Sequence, residues 1–192
     1  HYVVTAQYKT MVAVNFCVDG AIIHSEYVVY GSDAEDPVAN GTIDSPTKEG
    51  TDDLHYVFDR WGGSLTNVTL PRSIEAIFAN VYPVRFYATE TSTAPHYVQW
   101  VQDGYDAFDP VESGDCEAPT KEGTSDMYYT FSNWASIPTS VTAIMEVYAE
   151  YIPNWAVRFY NGDVVENIQW IRNGQSAVDP VTAGIISTPQ KA

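Results

Sequence analysis

Along the opening stretch Val12-Ala13-Val14-Asn15-Phe16, large apolar residues occupy every second position, the period of a strand with one buried face. Asp19-Gly20 follows, then Ala21 to Tyr30, rich in β-branched and aromatic residues. Alternation around an Asp-Gly pair predicts a tight β-hairpin. The pattern returns late in the chain as Val157 and Phe159, then Asn161-Gly162, then Val164 to Ile171. A middle version around Phe86 replaces the tight turn with the longer Ala88-Thr89-Glu90-Thr91-Ser92-Thr93-Ala94-Pro95. Each hairpin leads into Gly-x-x-Ala-x-x-Pro, at Gly31/Ala34/Pro37, Gly104/Ala107/Pro110 and Gly174/Ala177/Pro180. That segment suits a turn or a single helical turn, being too short for an ordinary amphipathic helix. Further strands are predicted at His55 to Trp61 and Tyr128 to Trp134. Closing strands fall at Ile74 to Phe78 and Val147 to Tyr151, with the same alternation at Val4 to Tyr8.

These recurrences are one repeat. Pro46-Thr47-Lys48-Glu49-Gly50-Thr51 reappears letter for letter at Pro119 to Thr124, with a reduced copy at Pro189-Gln190-Lys191. The first step is 119 − 46 = 73 residues and the second is 189 − 119 = 70. Phe16 to Gly31 and Phe159 to Gly174 span 15 residues, whereas Phe86 to Gly104 spans 18, so the unit is 70 residues and the middle hairpin holds three extra. A surface hairpin tolerates such an insertion. The organisation read from this is the last strand of a preceding repeat at 1–10, complete repeats at 11–81 and 82–152, and the first half of a further repeat at 153–192. The chain therefore reads as a piece of a longer repetitive protein, or the ordered part of one. Eight residues separate the last aromatic of one unit from the Phe of the next (Tyr8 to Phe16, Phe78 to Phe86, Tyr151 to Phe159). A constant, short linker predicts a stiff string of modules. Each core is expected to hold Phe16, Tyr30, Phe58, Trp61 and Ile74, or Phe86, Phe108, Phe131, Trp134 and Val147.

Charge narrows the partners. Nine Lys and Arg stand against 25 Asp and Glu, a net charge of −16. Nucleic acid and anionic membrane surfaces would be repelled, and no apolar run is long enough for membrane insertion. Cys17 and Cys116 occupy non-equivalent positions, which predicts free thiols. His1, His24, His55 and His96 recur at no repeat position and have no ligand-spaced partner, so neither metal nor cofactor is expected. The acidic turns Asp33/Glu35/Asp36, Asp103/Asp106/Asp109 and Asp179 lack the alternating ligands of an EF-hand loop and read as solvated carboxylates. Lys48/Glu49 and Lys121/Glu122 read as solvent-facing connector residues with one local ion pair. Trp61, Trp134, Trp100 and Trp170 read as core elements rather than a sugar-stacking set. No catalytic residue emerges.

Several of these motifs together resemble the Listeria–Bacteroides repeat family, the internalin B-type B repeat. They are Phe159-Tyr160-Asn161-Gly162-Asp163, Gly174/Ala177/Pro180, Pro119 to Gly123, Tyr129/Phe131/Trp134 and Val147 to Tyr151. The likeness covers nearly the whole chain; Cys17-Val18-Asp19-Gly20 and the extended middle hairpin depart from it. The resemblance implies tandem, small β-grasp-like modules of a β-rich α+β class. Each would be a four-stranded mixed sheet with a short turn or helical segment over it. It also implies a non-catalytic spacer or adhesion role in an extracellular setting, a bacteriophage virion or the bacterial cell surface. The expected partners are neighbouring repeats or subunits of the same assembly. The alternative is an adhesion module that grips a host surface protein or glycan through exposed aromatics. The candidate contact surface comprises Tyr128, Tyr148 and Tyr160, with Thr93 and His96 of the extended hairpin.

Overall fold

The computed structural model describes residues 2–190. Eight strands run in chain order: β1 (Met11–Val18), β2 (Ala21–Val29), β3 (His55–Trp61), β4 (Arg72–Tyr87), β5 (Tyr97–Gln102), β6 (Met127–Trp134), β7 (Met145–Asn161) and β8 (Val164–Arg172). Pairing is mixed parallel and antiparallel, and no helix occurs among the described residues, so the class is all-β. This corrects the expectation of β-grasp-like α+β modules carrying a helical segment. The reason lies in the Gly-x-x-Ala-x-x-Pro region. Asp36 caps a turn by accepting the N–H groups of Val38 and Ala39, and Asn40 N–H reaches the Asp36 carbonyl. Gly41, at φ +75°, then ends the turn in the left-handed conformation. Cap and terminator stand one turn apart, leaving no length for a helix. Asp109 with Gly114 and Asp179 with Gly184 repeat the device.

The chain divides into two compact units, His1–Tyr82 and Pro83–Ala192. In the first, β1 pairs antiparallel with β2 and parallel with the start of β4, setting Phe16 opposite Ile74; β3 pairs antiparallel with β4 residues 76–81. Val12, Val14, Phe16, Ala34, Trp61, Val68 and Ile74 form its core. The second unit uses the same registers: Phe86 faces Val147 across a parallel pair, and β6 runs antiparallel to β7. β5 pairs with β4, and β8 closes a hairpin with β7. Val84, Phe86, Val101, Ala107, Trp134, Val141 and Val147 are buried there.

Two bulges explain why Phe and Trp share a face at a spacing of three. The β3 register slips between Phe58 and Arg60, and the β6 register slips between Phe131 and Asn133. One extra residue flips the parity of the strand. Trp61 then packs edge-on against Phe58 at 5.1 Å, and Trp134 against Phe131 at 5.4 Å. The core list needs correction elsewhere. Tyr30 is 58% exposed and Phe108 is 45% exposed, because Tyr30 stands at the turn after β2 and Phe108 in the irregular segment after β5, both beyond their hairpin's buried face. Trp100 and Trp170 also lie partly exposed on their strands. Val68 and Val141, in loops without a strand pattern, are fully buried instead. Their neighbourhoods are tied down by Gly31 N–H to Val68 O and Gly104 N–H to Val141 O.

Candidate functional site

The middle hairpin differs from the first one in its turn. β1 and β2 reverse through Asp19 and Gly20, both at positive φ. Between β4 and β5, residues 88–96 instead form a small hydroxyl-bonded loop. Thr89 N–H reaches the Ser92 hydroxyl at 3.1 Å, Ser92 N–H returns to the Thr89 carbonyl at 3.1 Å, and the two hydroxyls lie 3.0 Å apart. This loop forms one wall of a groove of about 500 Å³, whose other lining comes from Lys121, Ala135 and Tyr148 to Tyr151.

The opposite wall is aromatic and acidic. Tyr148 stacks on Tyr87 with ring centroids 5.6 Å apart, and its hydroxyl donates to Glu146 at 2.7 Å. That hydrogen bond to a carboxylate is the main reason its phenol sits above the ordinary value, with burial and nearby Glu146 charge adding to it. Burial likewise raises Tyr151. Glu150 accepts from the Asn133 amide at 3.0 Å. Lys121 lies over the Tyr129 ring at 4.4 Å and near Tyr151 at 5.7 Å. In the first unit Lys48 lies over Tyr56 at 5.1 Å and also pairs with Asp19 at 3.4 Å. The repeated lysine is thus a ring cap in both units, where a local ion pair with the adjacent Glu was expected.

The groove offers hydroxyls, two carboxylates, Glu90 and Glu150, and an aromatic face. That set can hydrogen-bond and stack on a hydroxyl-rich ligand. Among the described residues, no three His, Cys, Asp or Glu side chains gather as metal ligands would. The acidic turns have another occupation: Asp33 accepts from Asn67 N–H at 2.7 Å and Asp106 from Ser140 N–H at 2.8 Å. They pin the Val68 and Val141 loops while remaining exposed to solvent. Both cysteines are free, Cys17 buried and Cys116 half-buried. His1 lies outside the described residues.

Of the five candidate contact residues, only Tyr148 lines this groove. Thr93 and His96 belong to the same hairpin and are exposed, but the His96 ring is engaged with the Glu117 carbonyl at 2.8 Å. Tyr128 packs edge-on against Trp170 at 5.0 Å, and Tyr160 lies beside a different groove at the end of β7. Lys121, Glu90 and Glu150 were missed as site residues. The insertion at 88–95 was their one sequence signal, since it gives this copy a wall that its neighbour lacks. No family model, curated protein or solved structure matches this chain.

Proposed function

We propose that the chain is a non-catalytic structural spacer, a run of acidic repeats in a bacteriophage virion or bacterial surface protein, supporting attachment or assembly. One observation carries this reading: outside the identical connector, whose Thr47/Thr120 and Glu49/Glu122 are exposed, the residues that recur between copies are largely committed to packing and turn geometry. Phe16/Phe86, Trp61/Trp134, Val68/Val141, Ala34/Ala107 and Pro37/Pro110 are buried pairs, and Asp36/Asp109 cap equivalent turns. A repeat that maintains its core and its turns suits a scaffold whose partners are neighbouring repeats or subunits. The resemblance to internalin B-type repeats supports the same reading. Fractionation of the native source tests it. The polypeptide is expected to co-sediment with intact particles or with the cell envelope; recovery in the soluble intracellular fraction would overturn the reading.

A second reading rests on the groove walled by the extended hairpin of the middle copy. An adhesion module would use it to hold a glycan, with Tyr148 supplying a ring face and Glu90 and Glu150 accepting from hydroxyls. On a glycan array, saturable binding lost in Tyr148→Ala and Glu150→Gln would favour adhesion over the spacer. An array without signal would leave the spacer reading standing.

A further inference from the structure

The two complete copies can be compared position by position. The closing strand reads Ile74-Glu75-Ala76-Ile77-Phe78 in the first and Val147-Tyr148-Ala149-Glu150-Tyr151 in the second. Its core position keeps its character, since Ile74 and Val147 are both buried. The three remaining differences put Tyr148 at the Glu75 position, Glu150 at the Ile77 position and Tyr151 at the Phe78 position. All three line the groove walled by the extended hairpin. In the first copy the tight turn itself contacts this strand, with Gly20 N–H reaching the Glu75 carboxylate at 3.3 Å.

Two features of the groove point to a ligand, and to its charge. The Tyr151 hydroxyl is buried and has no hydrogen-bond partner, at a position where Phe78 of the first copy carries no hydroxyl at all. A buried hydroxyl left unpaired is costly, and a polar group on a bound ligand would satisfy it. Negative charge gathers at the Tyr148 end. The Tyr148 hydroxyl donates to Glu146 at 2.7 Å; that bond is the first cause of its raised phenol, followed by burial and by neighbouring charges that include Glu146 and Glu90. Glu150 stands on the same wall. Lys121 is the one cation among the described lining residues, and its ammonium is engaged over the Tyr129 ring at 4.4 Å. With Lys48 over Tyr56, it also shows that an ammonium on a tyrosine ring is a contact this fold makes twice.

We infer that the groove takes an amino sugar, a hydroxyl-rich ring bearing a free ammonium. Glu90 and Glu150 hold the ammonium, and Tyr148 and Tyr151 supply a ring face and a hydroxyl partner. The volume of about 500 Å³ falls within the roughly 300–1,000 Å³ of small-ligand sites. A net charge of −16 repels anionic glycans and draws cationic ones. The inference rests on the adhesion reading of this groove and narrows it from glycans at large to those carrying an amine.

Amide-resolved titration of the full chain with two probes tests it, the tetramer of glucosamine and the tetramer of N-acetylglucosamine, in roughly 150 mM NaCl to suppress diffuse attraction. The glucosamine tetramer is expected to saturate, with shifts centred on residues 88–91 and 148–151, and to bind at least about tenfold tighter than its acetylated counterpart. A Glu90→Gln/Glu150→Gln chain should lose about tenfold or more, and Tyr151→Phe, which installs the residue of the first copy, should lose a few-fold. An Asp44→Asn/Glu112→Gln chain removes the same charge at exposed positions outside the groove and should bind as the native chain does. Equal loss in the two double variants would overturn the inference, since binding would then be diffuse attraction to an acidic protein. Equal binding of both tetramers at the groove would overturn the amine requirement while leaving the adhesion reading in place. Absence of binding by either tetramer would overturn the inference and remove its support for adhesion.

Discussion

At the scale of single residues, the two copies of one tryptophan have different environments. Trp61 donates its indole N–H to Asp36, while the Trp134 N–H is buried without a partner. Both rings pack on the core Phe, at 4.8 Å from Phe16 and 5.0 Å from Phe86. Replacement by Phe removes a charge-assisted hydrogen bond in one copy and an unsatisfied donor in the other. Trp61→Phe should therefore cost about 1–3 kcal/mol more than Trp134→Phe. Urea unfolding followed through amide signals of β1 and of β6 would read each unit separately, and equal costs would show that the Asp36 bond contributes nothing net. The connector glycines allow a second prediction. A Cβ on Gly123 would lie 2.3 Å from the Met127 carbonyl oxygen, and one on Gly50 would lie 2.6 Å from that of Leu54. Neither residue has positive φ, so the repeated Gly serves close backbone approach rather than a left-handed turn. Gly123→Ala should lower stability by about 1–3 kcal/mol, with Gly50→Ala somewhat milder, as thermal unfolding would measure.

At the scale of elements, the hairpins and closing strands were legible because alternation and turn chemistry are local. Asp19-Gly20 and Asn161-Gly162 announce their turns without any knowledge of the rest of the chain. What stayed hidden depends on long-range pairing. The bulges after Phe58 and Phe131 are visible in sequence only as uneven aromatic spacing. The burial of Val68 and Val141 depends on Gly31, Asp33 and their counterparts reaching across from another turn. The groove residue Lys121 could not be recognised as a ring cap until β6 and β7 were side by side. The one-turn Asp-capped segment was legible as a turn, but nothing in it forces a helix. Its chemistry predicts an acid response. The Thr182 hydroxyl, followed by the Val181 and Thr182 N–H groups, holds Asp179 below its ordinary value of 3.8. A carboxyl depressed on folding stabilises the turn fully above that ordinary value and loses the contribution as pH falls through the folded value. The turn at 179–184 should therefore hold its amide shifts down through pH about 4 and change only below it. In Asp179→Asn the acid transition should vanish; if both chains titrate alike, the carboxylate is not what caps this turn.

At the scale of the whole chain, two electrostatic effects oppose each other, and their magnitudes decide the outcome. Ion pairs favour the folded state: Lys48 with Asp19, Arg60 with Asp59, and Arg158 with Asp126. Each has at least one largely exposed partner, a class worth about 0–1 kcal/mol and weakened by salt. Against them stands a net charge of −16, with the sequence isoelectric point near 4.3. Folding concentrates that charge, and the resulting self-repulsion destabilises the compact state. Few cations are available to offset it, and Lys48 and Lys121 are already held over aromatic rings. Repulsion among many like charges should outweigh a few exposed pairs. Raising salt from about 20 mM to about 500 mM shortens the screening length from roughly 20 Å to roughly 4 Å, which removes most of the repulsion between exposed charges. The thermal midpoint should therefore rise by several degrees across that range in sodium chloride. Potassium chloride should give the same rise if screening rather than specific cation binding is the cause. A midpoint that falls with salt would mean that the ion pairs dominate, and that the acidic surface is arranged closely enough around its few cations to stabilise the fold.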